Sequence, residues 1–353
     1  MRILNLYNAD PRGVVEANAL VCSLPDCSAA TVRREVNGEY SLTVNLPRDA
    51  RFLNELTIGR AIRATVNEAG KEQFFVIKRR SRSLTNGMTV YAEHQSYYFN
   101  GVVINGGEAN TNGRVSTVFN ALRTYASPGI DDIAVWTYSR SSSLRANFPA
   151  RPAPITLMAA LKDFMIGAAG GELKFDGYDV QYVDQIGEDN GAVYRYGANM
   201  TGLDSEDVAD GYASGIYPYW GRSGDANSPL TVLDERVVPF SGTYPLQVFI
   251  PVDLTDQFET KPSQADLLAA AQEYATIHAP TGVPVSIKAT RARILGDVPV
   301  DLGDTVTLTC TPWGLNQKTR VFALTFDALR GRVVDVELGR VNPGFPGAVK
   351  NMK

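Results

Sequence analysis

The sequence predicts a β-dominated α+β protein with several domains, and three observations support that fold class. A pattern recurs far along the chain, because "IGRAIRAT" (58–65) aligns with "LGDTVTLT" (302–309), and the same offset of 244 residues superposes 77–94 on 321–338. Apolar and polar residues alternate with the period of a strand over most of residues 1–98, whereas helical spacing is confined to a few segments. The 353 residues exceed what one hydrophobic core organises, so we expect roughly two to four domains.

The aligned stretches predict the same antiparallel β unit twice. In each copy a glycine turn opens an alternating strand, which is followed by a polar loop, a second strand, another glycine turn and a third strand. Gly59 aligns with Gly303, and Gly87 aligns with Gly331. We interpret the stretches as two copies of one β module.

Residues 1–98 are predicted to form the first β-barrel module. The strongest local signal lies at 30–47, where two alternating runs flank the turn pair Asn37-Gly38. This pattern predicts a β-hairpin.

Residues 99–189 are predicted to form a separate α+β domain. The spacing of apolar residues predicts helices within 113–126 and 155–168. The stretch "GELKFDGYDVQYV" (171–183) predicts a hairpin about its Asp-Gly pair.

The second β-barrel module is predicted to be assembled from residues 190–224 and 286–343, with 225–285 as an inserted α/β segment. The insertion contains an amphipathic helix, for which Ser263 is the predicted N-cap. The tail 344–353 has no pattern of its own and is predicted to be a C-terminal arm.

Composition excludes several classes of protein. The 34 basic and 38 acidic residues give a net charge of −4, which argues against nucleic acid as the main partner. The amino terminus lacks the apolar core of a signal peptide, and no apolar stretch is long enough to insert in a membrane, so cytoplasmic synthesis is expected. Cys22, Cys27 and Cys310 are predicted to be reduced structural thiols, although a Cys22–Cys27 bridge across a short hairpin stays open.

The sequence predicts no catalytic, cofactor-binding or metal-ligating residues, and no cofactor. His94 and His278 lack a neighbouring nucleophile or carboxylate motif, so structural or surface roles are expected. Cys22 and Cys27 have no second pair for zinc. The acidic run "DSEDVADG" (204–211) lacks the alternation and distal Glu of a calcium loop, and we interpret it as a solvated turn.

Paired carboxylates leave little signature in a sequence, so a catalytic pair in the middle domain stays open. The candidates are Asp163, Asp176, Asp179, Asp184, Glu188 and Asp189.

Four stretches in order carry a resemblance to a known family. They are "NGEYSLTVNLPRDARFLNELTIGRAIRATVNEAGKEQFFVIKRRSRSLTNGMTVYAEHQSYYFNGV" (37–102), "YRYGANMTGLDSEDVADGYASGIYPYWG" (194–221), "IPVDLTDQFETKPSQADLLAAAQEY" (250–274) and "VPVDLGDTVTLT" (298–309). Together they resemble the amino-terminal hub region of phage and prophage tail proteins, of the prophage endopeptidase tail or minor structural protein family. The resemblance covers nearly the whole chain.

The resemblance implies a baseplate hub at the virion tail tip that serves host attachment. It implies a homotrimer in which two tube-like modules per subunit form a pseudo-sixfold ring, with the edges of the modules pairing across subunits. The implied partners are the tail tube and the distal tail protein, with tape-measure and receptor-binding or fibre proteins beyond them. DNA would pass through the lumen without sequence-specific binding. Relatives carry a C-terminal peptidase or lysin region, which is not expected in a chain that stops at Lys353, so no enzyme is expected.

Two alternative functions to a tail-tip hub stay open. A tail-associated hydrolase or carbohydrate-binding protein acting on the cell envelope would need an aromatic cleft. The candidate side chains for such a cleft are Trp136, Tyr138, Tyr217, Tyr219, Trp220 and Trp313. The other alternative is an adaptor or scaffold outside the phage world.

Overall fold

The computed structural model describes residues 2–15, 19–85, 87–104, 111–138, 145–148, 154–167, 170–207, 213–221, 229–241, 246–258, 260–278, 285–291 and 298–339. Strands make up most of its regular structure, so the predicted β-dominated α+β class is confirmed. The predicted arm at 344–353 lies outside the described residues.

Seven strands form module 1. They are β1 Leu4–Tyr7, β2 Leu20–Leu24, β3 Ala29–Glu35, β4 Tyr40–Leu46, β5 Ala61–Thr65, β6 Glu72–Ser83 and β7 Gly87–His94. Their order in the sheet is β3-β4-β7-β6-β5-β1-β2. The predicted hairpin is confirmed, because β3 pairs with β4 and Asn37 adopts the left-handed backbone of its turn, with φ of 55°.

A middle unit with its own core follows. It begins with a 3-10 helix, Gln95–Asn100, and contains β8 Val103–Ile104, β9 Thr111–Arg114, α1 Val115–Thr124, β10 Ala126–Ser127, β11 Trp136–Tyr138, β12 Arg145–Phe148, β13 Ile155–Thr156, α2 Leu157–Ala160, which continues as a π-helical turn Leu161–Ile166, β14 Glu172–Asp176 and β15 Asp179–Val183. Both predicted helices and the predicted β14–β15 hairpin are confirmed. Apolar residues between Phe99 and Tyr182 form the core of this unit.

The rest of the chain forms module 2 and a unit inserted in it. The elements are β16 Ala192–Arg195, β17 Met200–Asp207, β18 Gly215–Trp220, β19 Thr231–Val232, β20 Val238–Pro239, β21 Phe249–Asp253, a 3-10 helix Thr255–Gln257, α3 Gln264–His278, β22 Val285–Arg291, β23 Thr305–Cys310, a 3-10 helix Thr311–Trp313, β24 Leu315–Asp327 and β25 Arg332–Gly339. Module 2 consists of β16, β17 and β22–β25. The inserted unit consists of β18–β21 and α3, and Ser263 caps α3 as predicted, through a bond from the Asp266 amide.

Two local predictions differ from the structure. β18 was expected in module 2 within 190–224, but it pairs with β19, β20 and β21 and packs in the core under α3. A strand pattern shows that a strand forms and does not show which sheet it joins. The predicted acidic turn at 204–211 begins as strand, since residues 204–207 belong to β17, and 208–211 lie outside the described residues. The predicted domain boundaries themselves stay a prediction.

Modules 1 and 2 share one sheet and one core. The strand order β17-β22-β25-β24-β3-β4-β7-β6-β5-β1-β2 runs through both modules, with β23 bonded to β24 and β16 bonded to β23. The largest apolar cluster contains residues of both modules. β24 therefore joins the two copies, because β3 of module 1 pairs with it.

Candidate assembly interface

The two modules repeat each other at the level of single backbone hydrogen bonds. The amide of Gly59 donates to the carbonyl of Ile77 at 3.0 Å, and the amide of Gly303 donates to the carbonyl of Val321 at 2.8 Å. Both glycines have a positive φ, of 90° and 86°, which residues with a side chain rarely adopt. The offset found in the sequence is therefore also the offset between the folded segments that lead from Gly59 to β6 and from Gly303 to β24.

A β-bulge lies at the same place in both copies. The pairing of β6 with β7 shifts directly after Ile77, and the pairing of β24 with β25 shifts directly after Val321. A bulge bends its strand and increases the local twist. Beyond the bulge each strand continues into a segment that we call its outer half, residues 78–83 in β6 and 322–327 in β24.

The outer half of β24 is covered along both edges. β25 pairs along one edge, and β3 pairs along the other with Asp327 opposite Thr31. An ion pair of 2.8 Å between Arg33 and Glu337 crosses the junction. Phe326 is fully buried. The two modules are thus joined edge to edge by a continuous sheet.

The outer half of β6 is uncovered along one edge. Among the described residues only β7 pairs with it, because the pairing of β5 with β6 extends no further than Val76. All six residues, "KRRSRS", are exposed. An uncovered strand edge presents amides and carbonyls that can pair with another strand.

Cations line this uncovered edge of β6. We call them the basic edge: Lys78, Arg79, Arg80 and Arg82. The Arg79 guanidinium lies 4.5 Å from the centroid of the Tyr91 ring, and Arg80 donates to the carbonyl of Leu56 at 3.2 Å. Within the part of the chain that the structure describes, no carboxylate lies within ion-pair distance of these four side chains.

β17 ends the shared sheet on the side of module 2. In the described ranges it pairs with β22 alone, apart from a single bridge between Met200 and Tyr196. Its sequence, "MTGLDSED", contributes three carboxylates, which we call the acidic edge: Asp204, Glu206 and Asp207. Asp204 is exposed.

Buried polar contacts orient the middle unit against both modules. Arg320 of β24 makes a two-pronged ion pair with Glu172, at 2.5 and 2.6 Å, and both side chains are largely buried. On the side of module 1, Gln73 donates to Asp176 at 2.7 Å and accepts from the amide of Gly177 at 2.9 Å. A paired guanidinium and carboxylate have one favoured geometry, so the contact is specific.

His94 is enclosed in module 1. Its Nδ1 accepts a hydrogen bond from the Ser96 amide at 3.3 Å, and its Nε2 lies 3.2 Å from the side-chain oxygen of Gln73. Its ring stacks on Tyr40 with the centroids 4.0 Å apart. Burial lowers the pKa of His94 to about 3, so the ring is neutral at pH 7. The His94 ring therefore contributes packing contacts and hydrogen bonds inside module 1, where solvent does not reach it.

His278 is buried at the end of α3, where its ring centroid lies 4.1 Å from that of Tyr274. The three cysteines are unbridged, and burial raises the pKa of Cys27 to about 12. A thiol with so high a pKa is a poor nucleophile. The predicted reduced state of these cysteines agrees with the structure.

The candidate aromatic residues belong to different parts of the molecule. Trp136 and Tyr138 pack against the core of the middle unit. Trp220 is buried in the inserted unit, on the strand that also carries Tyr217 and Tyr219. Trp313 is exposed on module 2, in the 3-10 helix between β23 and β24.

Asp176 and Asp189 form ion pairs that tie units together. Asp176 pairs with Lys71 at 2.6 Å, and Asp189 pairs with Lys318 at 2.6 Å. Asp163 lies in the π-helical turn and Asp179 begins β15, and neither Asp184 nor Glu188 belongs to a helix or strand. The described residues contain no group of three or more His, Cys, Asp or Glu side chains that could hold a metal ion.

A cavity of about 640 Å³ lies where module 1, the middle unit and the segment 299–304 meet. Both cations and anions line it, and Arg34 and Asp301 form an ion pair there. Because both signs of charge face the cavity, its lining selects no single class of ligand.

Comparison with solved structures identifies the fold. No family model and no curated protein matches the sequence. The prophage tail protein gp18 from Listeria monocytogenes matches with a TM-score of 0.66 at 11% identity, over 97% of this chain and 95% of that chain. The chain has the fold of a prophage tail protein.

Two further tail proteins support this fold. A prophage MuSo2 tail protein from Shewanella oneidensis matches with a TM-score of 0.62 at 12% identity, over 98% of this chain and 99% of that chain. A tail protein from Neisseria meningitidis matches with a TM-score of 0.61 at 12% identity, over 99% of both chains. The resemblance to tail proteins that the sequence indicated is confirmed at the level of the fold. No helix in the described ranges is long and apolar enough to cross a membrane.

Proposed function

We propose that this chain is the structural hub of a phage or prophage tail tip, in which three copies form a ring of six similar β modules. One observation carries the proposal. Modules 1 and 2 repeat each other at a constant offset and are already joined edge to edge within one chain. The fold shared with prophage tail proteins supports the class of protein.

The symmetry of the ring follows from the repeat. A head-to-tail contact closes into a ring when the rotation that it imposes divides a full turn. Three chains with two similar modules each would present six similar units, which match a sixfold tail tube. The ring would dock on the tail tube and the distal tail protein, with tape-measure and receptor-binding or fibre proteins as further partners, and DNA would pass through its lumen.

The proposed role is structural rather than enzymatic. No described feature favours the alternative of a hydrolase or carbohydrate-binding protein, because the candidate aromatic residues lie in separate parts of the molecule and both histidines are buried. Incubation with purified peptidoglycan or capsule tests this directly, and a hub should release no soluble fragments.

The oligomeric state tests the proposal. Light scattering after size exclusion, at several concentrations, should give three times the chain mass of 38.4 kDa. Negative-stain images of that peak should show a ring with a central opening. A monomer at every concentration, which stays a monomer when the distal tail protein is added, would contradict the hub function.

A further inference from the structure

We propose that the basic edge of β6 binds the acidic edge of β17 from a second copy of this chain, so that the junction inside one chain is repeated between chains. Such an interface deepens the proposed hub function and rests on it. The repeat indicates which strand is missing beside β6.

Backbone pairing in module 1 leads from β6 to β3. Arg79 of β6 lies opposite Tyr91 of β7, Tyr91 lies opposite Thr43 of β4, and Thr43 lies opposite Thr31 of β3. β3 is therefore the outermost strand of this four-stranded set. The other edge of β3, which does not bond to β4, pairs with β24.

Module 2 repeats the same path. Ala323, which aligns with Arg79, lies opposite Glu337 of β25. Glu337 lies opposite Lys288 of β22, and Lys288 lies opposite Asp204 of β17. β17 thus corresponds to β3, and Asp204 corresponds to the residue of β3 that lies opposite Asp327 at the internal junction.

The internal junction also supplies a register for the contact between chains. Ser83 aligns with Asp327, so the equivalent pairing places Ser83 opposite Asp204 of the second copy. The antiparallel direction then places Arg80 opposite Asp207. Residues directly opposite each other in antiparallel strands share a face and interact.

Exposure indicates that the edge of β6 lacks a strand. Phe326 in the outer half of β24 is fully buried, where β3 covers the edge. Arg82, at the aligned position of β6, is exposed, like the other five residues of that outer half. Both outer halves follow the same bulge, and β24 alone has a strand along its other edge; the pairing of β24 with β25 also shifts a second time after Thr325.

The charges on the basic edge and the acidic edge determine which edges can pair. Two basic edges would repel each other, and so would two acidic edges, because like charges that lie opposite each other destabilise a sheet. A basic edge and an acidic edge attract, which favours a head-to-tail contact over a symmetric dimer. The competing explanation is that the arginines only protect an unpaired edge from aggregation, as charged residues on edge strands do.

Reciprocal charge reversal distinguishes these explanations. We expect R79E/R80E/R82E and, separately, D204K/E206K/D207K to weaken trimer formation at least about tenfold, since each creates like charges at the contact. The chain with all six substitutions should regain the trimer. K174E/K261E, which reverses two exposed cations of other units, is the matched control and should assemble normally.

A cysteine pair tests the register. In a chain with Cys22, Cys27 and Cys310 replaced by alanine, S83C/D204C should form a disulfide between chains on mild oxidation, and neither single variant should. Circular dichroism should show that every variant is folded. A native-like trimer that lacks this disulfide would contradict the register.

The outcomes separate this interface from the hub function. If the native chain forms the ring and both charge-reversed chains form it equally well, the interface is wrong and the hub function stands. If the native chain forms no ring even with its tail partners, the hub function fails and the interface fails with it.

Discussion

The outer halves of β6 and β24 occupy aligned positions of the repeat and differ in the strands beside them. Both follow a bulge at the same place in the repeat, yet one reads "KRRSRS" and is exposed, and the other reads "FALTFD" and lies between two strands. The repeat thus provides an internal control. The outer half of β24 is paired along both edges within the chain, and this shows which strand is missing beside the outer half of β6. Four sets of variants test how far this comparison holds.

The largest difference should come from aligned positions in the two outer halves. Phe326→Ala should lower the free energy of unfolding by about 3–5 kcal/mol, because it leaves a cavity in the shared core. Arg82→Ala, at the aligned position, should change the stability of the monomer by less than about 0.5 kcal/mol. Urea denaturation measures both, and similar losses would show that the two halves are not in different environments.

The contact with the middle unit should come next, because Arg320 aligns with Val76 and only module 2 has this ion pair. Arg320→Met should cost about 3 kcal/mol, since it leaves Glu172 buried without its partner. Adding Glu172→Gln removes the buried charge and should recover most of the loss. A double variant as unstable as the single variant in urea would show that packing, rather than charge, accounts for the effect.

The aligned turn glycines should differ by a smaller amount. Alanine at Gly59 or Gly303 strains a left-handed backbone and should cost about 1 kcal/mol. A Cβ at Gly303 would also lie 2.3 Å from the carbonyl oxygen of Ile186, whereas nothing lies within 4 Å of a Cβ at Gly59. We therefore expect about 2 kcal/mol or more for Gly303→Ala in thermal unfolding. Equal costs would contradict the close approach of module 2 to the chain near Ile186.

A last difference should be acid sensitivity that belongs to module 1, where His94 aligns with Leu338. The folded-state pKa of His94, about 3, lies below the ordinary histidine value of 6.5 because the ring is buried. The stability that the neutral ring contributes is therefore complete above about pH 6.5 and falls towards pH 3, by up to about 1.4 kcal/mol per pH unit. Urea unfolding from pH 7.5 to pH 5 should show a shallower fall for His94→Gln, and equal slopes would contradict a buried neutral ring.

Patterns of short range were sufficient to predict much of the fold. The turn pair Asn37-Gly38, the helical spacing around Val118 and the cap at Ser263 each specify a local structure, and each forms as predicted. The repeat was visible because Gly59 and Gly303 hold the same left-handed turn, which few other residues allow.

Pairing of distant strands could not be predicted in the same way. The junction of β3 with β24 joins residues nearly 300 positions apart, as in the pairing of Thr31 with Asp327. Neither strand has a sequence pattern that indicates which strand it pairs with. The position of β18 was missed for the same reason. The signal for the candidate interface was present in the sequence, as four cations within "KRRSR", but it gained a meaning only when the aligned segment of β24 proved to be buried.

Hydrogen exchange of backbone amides, followed by mass spectrometry as the chain assembles, is the most direct test of whether β17 of a second copy pairs with β6. Residues 322–327 should be protected at every concentration, because β3 covers them within the chain. In 78–83 and 200–207, the amides that do not bond to β7 or β22 should exchange fast in the monomer and become protected together when the trimer forms. A trimer in which 78–83 still exchanges as fast as in the monomer would contradict the pairing of β6 with β17.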